Sequence, residues 1–282
     1  MSTPTQAGAR SGATGSTGAP DTPDAVAPRR STLPGDIVSV WMRETLTIVR
    51  DPFSLVFSLL QPLVFLGLFA PLLSGVAGGG VGGGSTLQWF VPGVVVMISM
   101  FGTSMTGSNL QYEIMTGAFE RILATPLRRS SLMIGRALKE MTPLVVQALL
   151  IVLVSVPFGF VLFPGHIALG LLLLGVFGVG IGALSYALAI ATRRTEWIFW
   201  AVQQTLLYPL LILSGMMLPL ESGPEWMRAA SKVNPLTYVV DAERTLFAGH
   251  FDASVIAGAV AAALTCAVGL AVGIRSITKG AF

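Results

Sequence analysis

Six long apolar runs divide the chain, at approximately 55–73, 90–109, 143–163, 167–191, 197–218 and 254–274. A helix needs roughly 20 mainly apolar residues to cross the hydrocarbon core, and each run supplies about that many. A closed barrel is the other structure that satisfies its own backbone in lipid. These runs do not alternate apolar and polar positions, and they are about twice as long as a spanning strand. The pattern therefore predicts an all-α fold, a polytopic membrane protein of six transmembrane helices. Between the second and third runs lies a charged, helix-like segment, EIMTGAFERILATPLRR, at 113–129. Its Ile114, Met115, Ala118, Phe119, Ile122 and Leu123 fall on one stripe, with Glu113, Glu120 and Arg121 beside it. Pro126 ends the helix, which the pattern places at about 113–125.

Ahead of the first run, Ile37, Val40, Trp41 and Thr45 share one helical face. Residues 33–52 read as an amphipathic helix lying in the membrane interface, the alternative being a plain extension of the first span. Residues 1–32 are rich in Gly, Ser, Thr, Pro and Ala and lack the apolar core of a cleaved signal. They read as a disordered cytoplasmic tail. The six-helix transmembrane domain then occupies 53–282, with an external helical connection at about 219–250.

Composition agrees with lipid as the solvent. Hydrophobic residues make up 53% and charged residues only 11%, with mean hydropathy +0.75, against about 25% charged in a soluble domain. The net charge of +3 raises nucleic-acid binding as a question, and the placement of the basic residues answers it. With the N-terminus in the cytoplasm, all of the 17 Lys and Arg residues except Arg228, Lys232 and Arg244 fall on the cytoplasmic side. That asymmetry predicts both termini inside, in the cell membrane (inner or plasma), and makes the basic excess a matter of topology with no nucleic-acid partner.

Chemistry-bearing motifs are sparse. The glycine-rich stretch GVAGGGVGGGST at 75–86 has no Lys-Ser/Thr ending, and no G-x-x-x-x-G-K-[ST] occurs. GTSMTG at 102–107 misses the G-x-S-x-G spacing and lacks its strand–turn–helix setting. A membrane hydrolase built on Ser104 or Asp241 would have no paired base within a span. His166, His250 and the lone Cys266 form no metal-ligand pattern. Polar residues do occur inside two runs, Thr103, Ser104, Thr106, Ser108 and Asn109 in one, and Gln203, Gln204, Thr205 and Tyr208 in the other. Polar groups at membrane depth mark a pathway or bond neighbouring helices. Ser104, Asn109, Gln203, Gln204 and Tyr208 are the candidate substrate contacts. Gly178 and Gly182, four residues apart, read as a close helix-packing face.

The connection after the fifth run contains EWMRAASKVNPL, a short helix ended by Asn234-Pro235. Two motifs then stand in order. Glu113, Gly117, Glu120, Arg121, Thr125 and Pro126 follow the second span, and Ser214, Gly215, Pro219, Pro224, Trp226, Asn234, Pro235, Leu236, Thr237, Tyr238 and Arg244 follow the fifth. Over roughly 35–279 this arrangement resembles the permease subunits of type-2 ABC exporters, particularly the daunorubicin-resistance kind. It departs from that pattern at Met115 and Ala118, where the family often has a charged residue and a Thr or Ser.

The resemblance implies a permease working as one of a pair, a homodimer, with two copies of a separate ABC ATP-binding subunit. ATP and Mg would be held by that partner and no cofactor by this chain, which is then a transport subunit and not an enzyme. It implies that 113–125 is a coupling helix, with Glu113, Gly117, Phe119, Glu120, Arg121, Thr125 and Pro126 facing the ATPase. It places Pro219, Trp226, Asn234, Pro235, Tyr238 and Arg244 in an external gate or helix. The cargo it implies is an amphipathic drug or natural product such as an antibiotic, moved by alternating access. Export of a lipid-linked polysaccharide or other large cargo is the alternative.

Overall fold

The computed structural model describes residues 35, 38, 41, 42, 52–76, 86–123, 129–139, 141–216, 220 and 223–279. Ten helices are bounded among them: α1 (Pro52–Val76), α2 (Thr86–Met115), α3 (Ala118–Leu123), α4 (Arg129–Lys139), α5 (Met141–Ser155), α6 (Pro164–Ala191), α7 (Glu196–Leu213), α8 (Glu225–Ser231), α9 (Pro235–Phe247) and α10 (Ala253–Lys279). No strand occurs among the described residues. Residues 35, 38, 41 and 42 are helical, inside the stretch read as an interfacial helix, and the tail at 1–32 lies outside the described residues.

Among the described residues, four helices are long and apolar enough to cross a membrane: α2, the α4–α5 pair over Ile134–Phe158, α6 and α10. α2 is the central one. Every residue from Phe90 to Met100 is buried, which suits a stretch that is hydrophobic on all sides. Around it pack α1, α5, α6 and α9. α1 runs on through Pro62 and Pro71 as a single helix. α5 stops short of the run that predicted it: Pro157 leads into a 3-10 turn, Gly159 takes φ +97°, and the chain is non-helical to Phe163. α10 is capped by Asp252, whose Oδ1 accepts from the Ser254 hydroxyl (2.5 Å) and amide (2.9 Å). Those two bonds hold its carboxyl below the usual carboxylate range.

α2, α6 and α10 run parallel. Gly107 N donates to Ser185 Oγ at 3.0 Å, a Cβ on Gly178 would touch Thr103, and Gln111 Nε2 reaches Thr192 Oγ1 at 3.0 Å, so the α2–α6 register rises in step. Gly178 is the packing position that the glycine spacing predicted. The tightest seam was not predicted: a Cβ on Gly180 would lie 2.7 Å from the Thr265–Cys266 peptide, and one on Gly269 would collide with the Gly180 carbonyl. Both positions need glycine because backbone meets backbone there. Gly269→Ala is accordingly expected to lose about 1–3 kcal/mol by overpacking, read as a lower thermal midpoint in detergent. Gly67→Ala, where a Cβ meets nothing within 4 Å, should match the parent.

Candidate functional site

The charged segment after the second run is two pieces. α2 continues to Met115, so Glu113 sits on its last turn, and α3 begins only at Ala118. Between them Gly117 takes φ +69°, with its N–H on the Ile114 carbonyl at 3.2 Å, and the Thr116 hydroxyl bonds back to Tyr112 O at 3.0 Å. A left-handed glycine just past a helix end is a stop signal. One continuous stripe over 113–125 is therefore divided, with Ile114 and Met115 on α2 and Ala118, Phe119, Ile122 and Leu123 on α3.

Glu113 is engaged within the chain. Its Oε2 accepts from Arg136 Nη2 at 2.5 Å, and the Arg136 side chain is only 4% exposed against 27% for Glu113. The same guanidinium lies over the Phe119 ring, 5.9 Å from its centroid. Arg136 thus joins α2, α3 and α4 in one cluster. Arg121 is exposed, its Nε within 3.5 Å of the Gly117 carbonyl. Glu120 lies on α3, but its side chain, with Thr125 and Pro126, is outside the described residues.

At the opposite end, the second motif closes over the end of α7. The last carbonyls of a helix have no partner within it. Asn234 Nδ2 donates to Leu210 O (2.8 Å), the Thr237 hydroxyl to Leu213 O (3.2 Å), and Arg244 Nη2 to Gly215 O (2.8 Å) and Met216 O (3.1 Å). Asn234 is also the N-cap of α9, its Oδ1 accepting from Leu236 N at 3.0 Å, with Pro235 at the first helical position. Asn234-Pro235 therefore starts a helix, and the shorter α8 before it ends at Ser231. Arg244 stacks on Trp89 of α2, 3.8 Å from the ring centroid, and lies 3.9 Å from Asp241. Tyr238 donates its hydroxyl to Lys232 O at 2.7 Å, while Trp226 on α8 is 66% exposed. Pro219 is outside the described residues.

α9 is not a surface helix. Leu236, Val239, Val240, Ala242, Leu246 and Phe247 are all buried, packed on α2, α6 and α10. Gln88 of α2 holds its far end, bonding to Phe247 O and to both N (3.1 Å) and O (3.2 Å) of Val161. Glu243, fully buried, has no hydrogen-bond partner and rests against Gly170 of α6, where a Cβ would lie 2.5 Å from its Oε2. Sequence reasoning missed Arg136, Gln88, Trp89 and Glu243 as contact residues. Only Trp89, an aromatic able to stack on a guanidinium, carried any signal of its role.

The five candidate substrate contacts separate. Ser104 belongs to the α2–α6 seam, where its carbonyl accepts from Ser185 Oγ at 2.5 Å. Gln203 faces α2, its Nε2 3.6 Å from Met105 Sδ, and Tyr208 meets Phe101 edge-on at 6.3 Å while staying 50% exposed. The side-chain carbonyls of Gln203 and Gln204 are buried without a partner. Asn109 is exposed.

A family model described as ABC-2 type transporter matches residues 36–248, three-quarters of the chain and both motifs just described. The chain belongs to the ABC-2 type transporter family. It is 29% identical over 237 residues to the daunorubicin resistance ABC transporter permease protein DrrB1 of Streptomyces coeruleorubidus, covering 81% of this chain and 82% of that one. A putative transport permease, ycf38, of Cyanophora paradoxa is 30% identical, over 70% of this chain and 69% of the relative. The probable multidrug ABC transporter permease YbhR of Escherichia coli (strain K12) is 26% identical, over 57% and 44%. This ABC-2 chain is thus a multi-pass membrane transport permease whose two motif clusters sit at opposite ends of α2.

Two outcomes follow for those clusters. Glu113→Ala strands a buried guanidinium and is expected to lose about 2 kcal/mol, below the 3–5 of a fully buried pair because Glu113 is partly wet. The double change Glu113→Leu with Arg136→Met should recover most of that thermal midpoint. Arg244→Lys keeps the charge but loses the planar stack and the two-carbonyl fork, lowering stability by about 1–2 kcal/mol.

Proposed function

We propose that this chain is the membrane half of an ATP-driven exporter, six spans with both termini in the cytoplasm. It pairs with a second copy of itself and with two copies of a separate ABC ATP-binding subunit, which carries ATP and Mg. The observation that carries this reading is α3. It is a short helix set off from α2 by the Gly117 turn and fastened to the bundle through Phe119, Arg136 and Glu113. A lever between an ATPase and a membrane bundle needs that combination of a free outer face and a fixed root. Arg121, Glu120 and the turn at Gly117 are the parts offered to the ATPase, and Glu113 is part of the root.

The parallel course of α2, α6 and α10 supports the threading. Each parallel pair requires the chain to return across the bilayer in between, a role that falls to α5 and then α7, with α1 as the first crossing. The basic residues near Arg121, Arg136, Arg193 and Arg275 then gather at one end, the cytoplasmic one. α9 enters from the outer side as the gate element, with Asn234, Tyr238 and Arg244 as its fastenings.

For cargo we take an amphipathic drug or natural product. The relative named for daunorubicin resistance supports it, as does the α2–α7 face, where Tyr208 meets Phe101 and Gln203, its side-chain carbonyl unpartnered, faces Met105. Expression with the ATP-binding partner in a drug-sensitive host should raise resistance to an anthracycline. Glu120→Arg should abolish that gain while ATP hydrolysis and membrane abundance persist. Full resistance in that variant at equal abundance would remove α3 from the coupling role, and no resistance in the parent would remove the cargo class.

A further inference from the structure

One cavity lies outside both motif clusters and outside the α2–α7 face. It has a volume of about 650 Å³ and opens where the α6–α7 turn meets the last turns of α10. Arg193, Arg194 and Arg275 line it, and no carboxylate does among the described residues. Neither Arg194 nor Arg275 has an ion-pair partner among the described residues. Ile190, Ile198 and Val272 give the cavity an apolar stretch of wall beside the arginines.

The wall continues outside the cavity. Ile256, Val260, Leu264, Val268 and Val272 are all exposed, at 59, 53, 61, 55 and 41%. Spaced four apart, they form one ridge along α10 that ends at the cavity. At 1.5 Å per residue the ridge is about 24 Å long, more than the roughly 15 Å depth of one leaflet's hydrocarbon. A site with a cationic mouth at the end of two membrane-crossing helices and an apolar track beside it has the two-part form of an anionic amphiphile.

We propose that this cavity binds an anionic phospholipid, its phosphodiester held by Arg193, Arg194 and Arg275 and its acyl chains laid along the α10 ridge. Guanidinium forks suit phosphate oxygens better than ammonium groups do, because they offer paired donors in a fixed plane. A free phosphate would use the arginines alone, whereas a phospholipid also uses the apolar ridge that leads to them. An acidic segment of a cytoplasmic partner would likewise leave the ridge bare. The proposal does not depend on the cargo or on the direction of transport.

The test uses the full chain purified in an uncharged detergent, with bound lipid counted by native mass spectrometry during titration. Phosphatidylglycerol should bind at least about tenfold tighter than phosphatidylcholine, since each basic residue near a headgroup contributes about 1 kcal/mol. That preference should vanish in the triple variant Arg193→Gln, Arg194→Gln, Arg275→Gln and survive in part in the corresponding triple Lys variant. Should the triple Gln variant fail to fold, the single Arg194→Gln, at an exposed position, must still weaken phosphatidylglycerol binding. Inorganic phosphate at 10-fold excess over lipid should not displace it. Equal binding of the two lipids by the parent, an undiminished preference in the Gln variants, or displacement by inorganic phosphate would each overturn the proposal.

Discussion

In hydrocarbon an apolar side chain gains little by meeting another helix in place of a lipid tail, so helices are held by close backbone approach and by hydrogen bonds. α6 meets both conditions at once. On one side Gly178 admits Thr103 and Ser185 bonds across to Ser104 O and Gly107 N; on the other, Gly180 and Gly269 bring the α6 and α10 backbones into contact. The three parallel helices are fixed in register by these contacts. The buried apolar mass of α2, from Phe90 to Met100, follows from being enclosed by them.

Parallel packing constrains everything between. A chain that goes down α2 and down α6 has to come back, and it does so through α4 and α5, whose break at Pro157 and Gly159 frees the segment that Gln88 then ties. After α7 the chain folds in a second time as α9. Its N–H end is closed by Asn234, and in return Asn234, Thr237 and Arg244 close the carbonyl end of α7. The residues of the N-P-L-T…R motif therefore serve two helix ends together, which a stretch of backbone buried among spans requires.

Much of this was legible in the chain. Apolar run length located the helices, Gly178 marked a packing face, and the order of the two motifs pointed to the family. What stayed hidden depended on partners distant in sequence. Nothing in the local pattern around Glu113 says that it meets Arg136, 23 residues on. The stripe through 114–123 is genuine as periodicity, but Gly117, acceptable within a helix by propensity alone, breaks it because Thr116 and Gly117 find their own carbonyls. Ser104 and Gln203 looked alike as polar residues in a span. The first is absorbed by a helix seam and the second is left with an unpartnered oxygen at α7. Periodicity cannot separate those two fates, since both positions are buried.

The division at Gly117 sharpens what α3 is able to do. A single helix from the bilayer to its outer tip would pass any push straight along its own axis. With a glycine turn in between, α3 is tied to α2 and α4 together through the side-chain cluster of Phe119, Arg136 and Glu113. α2 then spans the distance to the other motif: Glu113 and Gln88 are 25 positions apart on one helix, about 38 Å at 1.5 Å per residue. At that far end Gln88 and Trp89 hold α9 by Phe247 O and Arg244. Both motifs are thus seated on one buried helix, with the Glu113–Arg136 pair at one end of α2 and α9 packed against the other.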